Sequence, residues 1–147
     1  MTAAIRPILA NSCARAATAA EARFRIDRPI GGRIAVVAAL DEEAAEVVER
    51  VAERPWRGAR FLRAGDHPGD LEDVDLVLMI ATADADADVA ARLAGAAAER
   101  GIMTAGLILG ERIDVAAALT ALRPYARNLM VTTDEEDVAE VLTALRA

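Results

Sequence analysis

The sequence predicts an α/β fold: a doubly wound, mostly parallel five-stranded sheet in the order 2-1-3-4-5, with helices on both faces. Three observations carry this. Continuous apolar runs at Ile34–Leu40, Leu76–Ala81 and Met103–Leu109 read as strands buried on both faces. Segments of helical periodicity alternate with them, as in a chain of βαβ units. Caps and breakers fall between the segments, at Asp41, Pro55, Gly101 and Pro124. Right-handed crossovers then leave few topologies.

Each element has its own reason. The run Ile34–Leu40 ends at Asp41, which can cap a helix from Glu42 to Arg54. On that helix Val47, Val48, Val51 and Ala52 form one stripe, Glu46 and Arg50 make an i, i+4 pair, and Pro55 stands just past the end. Ala59–Ala64, with Phe61-Leu62 between Arg60 and Arg63, reads as a more exposed strand. Gly65–Asp73 is too short for the dozen or more residues of a usual crossover, so an irregular loop or one helical turn is expected there, not a full helix. Asp75–Ala81 is the central strand and Asp88–Arg100 its helix, with Val89, Leu93 and Ala96/Ala97 on one face and Gly101 as a left-handed C-cap. After the strand Met103–Leu109, Asp114 is expected to cap Val115–Arg123, with Val115, Leu119 and Leu122 inward. Leu129–Thr132 is the last strand. Thr133 with Glu136 forms a capping-box pattern before a helix that turns Val138, Val141, Leu142 and Leu145 inward.

The N-terminal residues 1–32 read as an Ala/Arg-rich segment: a weak helix from Cys13 to Arg23 capped by Ser12, then an edge strand at Arg23–Ile26. Arg6 and Arg15 without acids imitate a leader, but Pro7 and Asn11 interrupt the apolar run, so the helix is preferred. Residues 33–147 are expected to form a single α/β domain.

Composition narrows the function. The chain has 147 residues and a net charge of −7, which argues against generic nucleic-acid binding. Hydrophobic residues are 54% and aromatics only 3%, so the core must be aliphatic. There is no lysine, which removes a P-loop lysine and Schiff-base chemistry. A single histidine, His67, and a single cysteine, Cys13, leave no Cys/His zinc set within one chain. The lone cysteine fits a cytoplasmic location. Ser12 is the sole serine and lies in no nucleophile-elbow pattern. No apolar run reaches the roughly 18 residues that a membrane span needs.

In such sheets ligands bind at the carboxyl ends of the strands, at the switch point. The residues arriving there are acidic: Asp41, Glu42 and Glu43, then Asp84, Asp86 and Asp88, then Asp134, Glu135 and Glu136. Two carboxylates about 7 Å apart repel by roughly 2 kcal/mol at an effective dielectric near 20. The Asp84, Asp86 and Asp88 side chains therefore face water or share a cation. One reading makes Asp41, Asp84 and Asp86 ligands of Mg²⁺ or Ca²⁺, both of which take oxygen donors. The other, preferred, makes the triplet an acidic cap and first helical turn. Thr82, Thr132 and Thr133 are the candidates for contacting any other ligand in the crevice. His67 reads as a solvated loop residue, and Trp56 as rim or core packing.

From Val74 to about Leu142, the strand VDLVLMI, the strand GIMTAGLILG and the segment LRPYARNLMVTTDEEDVAEVL resemble, in order and spacing, the nucleotide-binding domain of the tubulin/FtsZ family. That family has a glycine-rich GGGTGTG loop where this chain has Thr82-Ala83-Asp84-Ala85-Asp86-Ala87-Asp88, and Ala38-Ala39-Leu40-Asp41 stands at its other phosphate loop. The resemblance thus implies a degenerate nucleotide-binding fold to which no family site residue carries over. Leu40-Asp41-Glu42-Glu43 also resembles the start of a response-regulator receiver. Ile80-Ala81-Thr82 at the acceptor position, and the absence of lysine, reject phosphotransfer. The expectation is a non-catalytic interaction or accessory subunit, acting through a protein partner or self-association. The alternative is a small Mg²⁺/Ca²⁺-dependent enzyme or ligand sensor using the acidic crevice.

Overall fold

The computed structural model describes residues 32–63, 66, 69 and 71–147. All of them belong to the compact unit Gly32–Ala147. The expected N-terminal helix with Ser12 and Cys13, the edge strand at Arg23–Ile26, and His67 lie outside the described residues.

The fold is Rossmann-like. Five strands, β1 (Ala35–Ala39), β2 (Ala59–Leu62), β3 (Leu76–Ala81), β4 (Met103–Leu109) and β5 (Asn128–Thr132), form one sheet in the order β2-β1-β3-β4-β5. Every pairing is parallel. Four helices accompany them among the described residues: α1 (Glu42–Ala52), α2 (Ala87–Glu99), α3 (Ala116–Leu122) and α4 (Glu136–Leu145).

The sheet separates two aliphatic cores. Alternate residues of a strand point to opposite faces. Val37, Leu78, Ile80 and Leu107 therefore meet Val47, Val48 and Val51 of α1 and Val138 and Leu142 of α4. Val36, Val77, Met79 and Ile108 meet Val89 and Leu93 of α2 and Val115 and Leu122 of α3. All five residues of β1 and all six of β3 are buried, which explains why both read as unbroken apolar runs.

Between β2 and β3 the described residues contain no helix. Leu71 and Val74 fold inward and are buried, and Asp73 takes a left-handed φ of 63° to turn the chain into β3. Leu71 and Val74 thus fill, from the described end of this connection, part of the face that a helix would otherwise cover. Gly101 has the expected left-handed φ of 66° after α2. Gly110, at φ 144°, closes the end of β4, and its N–H donates to the Thr132 carbonyl at 2.8 Å.

Two caps differ from expectation. Asp114 does not cap α3: Val115 is the N-cap and makes no side-chain hydrogen bond there. The Glu111 carbonyl accepts from the N–H groups of Asp114 and Val115, so a backbone-bonded turn leads into α3. Nor does Thr133 open α4 with a capping box. Asp134 Oδ1 accepts from the Glu136 N–H at 2.9 Å, and Thr132 Oγ1 accepts from the Asp134 N–H at 3.0 Å. In a run of Thr-Thr-Asp-Glu-Glu several overlapping caps compete, and the one anchored to the end of β5 prevails.

Candidate functional site

The mouth of the sheet lies where β1 and β3 end and their chains part to opposite faces. Leu40 remains on the sheet edge, its N–H donating to the Ile80 carbonyl at 2.9 Å. The register that sets Ala39 beside Ile80 brings Asp41 next to Thr82. Both are buried, at 9% and 4% exposure, and they are the only buried polar side chains among the described residues.

Their hydrogen bonds account for the carboxylate of Asp41. Oδ1 accepts from the Ala44 N–H at 2.8 Å, capping α1, and from the Thr82 hydroxyl at 3.0 Å. Oδ2 accepts from the Thr82 N–H at 2.8 Å. One side chain thus ties the start of α1 to the end of β3. The next turn is closed in the same way. The Asp86 N–H donates to the Leu40 carbonyl at 3.1 Å. Asp86 Oδ1 accepts from the N–H groups of Asp88 at 2.8 Å and Val89 at 3.3 Å, capping α2. The free N–H groups that could greet an anion at this helix terminus are occupied by the chain's own carboxylate.

Above this joint is an open cleft of about 570 Å³ lined by Leu40, Asp41, Glu42, Glu43, Glu46, Asp84 and Asp86. The three residues expected to face a cation, Asp41, Asp84 and Asp86, do line one cleft. Among the described residues, no group of three or more His, Cys, Asp and Glu is arranged to hold a metal ion. Thr132 belongs to a separate turn at the end of β5, where its hydroxyl donates to Asp137 Oδ2 and accepts from the Asp134 N–H. Thr133 is exposed. The three threonines therefore do not form one site: Thr82 is built into the β1–β3 joint, and the other two follow β5. A second hollow, about 550 Å³, lies beside α2, lined by Leu71, Val89, Leu93, Arg92 and Arg100 among others.

Two ion pairs across the α1–α4 side escaped the sequence reading. Arg50 makes a bidentate contact with Glu135, at 3.2 and 2.8 Å, while Glu46, its expected i, i+4 partner, acts on it as a nearby opposite charge. Arg54 does the same with Glu136, at 2.7 and 2.6 Å. The separations of 85 and 82 residues leave no local signal. Hydrogen bonds from the guanidinium groups hold the Glu135 and Glu136 carboxyls below their ordinary value of 4.5, and the same bonds raise both arginines. A carboxyl lowered in the folded state stabilises the fold above its unfolded value. That contribution is lost as pH falls through the folded values. The melting temperature should therefore decline on acidification from pH 4.5 downward. In a melting series against pH, Glu135→Gln with Glu136→Gln should flatten the decline. Both pairs are exposed, so salt should weaken them.

No protein-family model matches the chain, and no curated protein matches it. Among the described residues no helix is long and apolar enough to cross a membrane.

Proposed function

We propose that the chain is a non-catalytic α/β module acting through protein–protein association, an accessory subunit on a degenerate nucleotide-binding fold of the tubulin/FtsZ type. In this reading residues 33–147 are the working domain, residues 1–32 are a docking segment for a partner, and the protein acts in the cytoplasm. One observation carries it. The groups that would receive a nucleotide at the β1–β3 switch point are already bonded to each other, through Asp41, Thr82 and Asp86. The loop from Thr82 to Asp86 has no glycine to let backbone close on a phosphate, and carboxylates line the space above it.

The second reading, a Mg²⁺- or Ca²⁺-dependent enzyme or sensor, draws on the same cleft, with Asp41, Asp84 and Asp86 as ligands. To serve there, Asp41 would have to share oxygens that already accept three hydrogen bonds. Titration calorimetry of the full chain with MgCl₂, CaCl₂ and GTP separates the two. The association reading expects no saturable heat from any of them, and an oligomer or partner complex by light scattering. Saturable cation binding lost in the double variant Asp84→Ala, Asp86→Ala would replace it with the second reading.

A further inference from the structure

We draw no further inference here: the strongest candidate, the hollow of about 550 Å³ beside α2 lined by the buried Leu71, Val89 and Leu93, has a rim that mixes Arg92 and Arg100 with Asp66 and Glu99 and so favours neither sign of charge, and nothing in the structure shows what covers it.

Discussion

Asp41→Ala is expected to lower the unfolding free energy by about 2–4 kcal/mol, read from urea denaturation. Two losses add. Removing an N-cap acceptor costs about 1 kcal/mol, and leaving buried donors without an acceptor costs about 1–3 kcal/mol more. The donors in question are the N–H and hydroxyl of Thr82, which is 4% exposed. The adjoining acidic cleft admits water to part of the site, which keeps the total from rising further. Asp41→Asn should cost less, because an amide oxygen in place of Oδ1 can still accept two of the three bonds. A substitution of similar size at Asp84, which is exposed, should be nearly neutral.

The other large effect is expected in the core. Ile80→Ala should destabilise by about 3–4 kcal/mol, through lost transfer energy and the cavity left behind. Ile80 is fully buried in the central strand, between Ala39 and Leu107 and beneath the helices α1 and α4. Ala39 is too small to fill the void, and the flanking strands cannot close without breaking their ladders. Ile80→Val should cost only about 1 kcal/mol. If Ile80→Ala cost no more than the valine variant under the same urea titration, the face beneath α1 and α4 would not be the packed core described.

The architecture was legible because its signals are local. Unbroken runs such as Ala35–Leu40 and Leu76–Ala81 mark strands covered on both faces, and Asp41, Gly101 and Pro124 mark where helices begin or end. Strand order followed from the handedness of crossovers rather than from any residue. The caps of α3 and α4 were misread for an equally local reason. Thr and Asp both make good caps, so a run such as Thr132–Asp134 permits several, and at α4 the choice depends on which one the preceding strand positions.

The site was half legible. Acidic residues at the strand ends could be counted, and their gathering in one cleft follows from the fold. The engagement of Asp41 with Thr82 was within reach too, since the β1–β3 register places position 41 beside position 82 and both stand at the end of buried runs. Charge alone, however, does not say which donors a carboxylate meets. The Arg50–Glu135 and Arg54–Glu136 pairs had no such signal, because they join exposed side chains whose meeting depends on how two helices lie across the sheet.

The closed mouth of the sheet depends on whether the Asp41 carboxylate is committed to Thr82, and a double-mutant cycle on Asp41→Ala and Thr82→Val measures this directly. Thr82→Val keeps the shape and removes one donor. Commitment predicts a coupling of about 1–2 kcal/mol between the two substitutions, the worth of a buried hydrogen bond to a charged acceptor. Strict additivity of the two stability losses would mean that the carboxylate does not hold the Thr82 hydroxyl, contradicting the joint described at the mouth of the sheet.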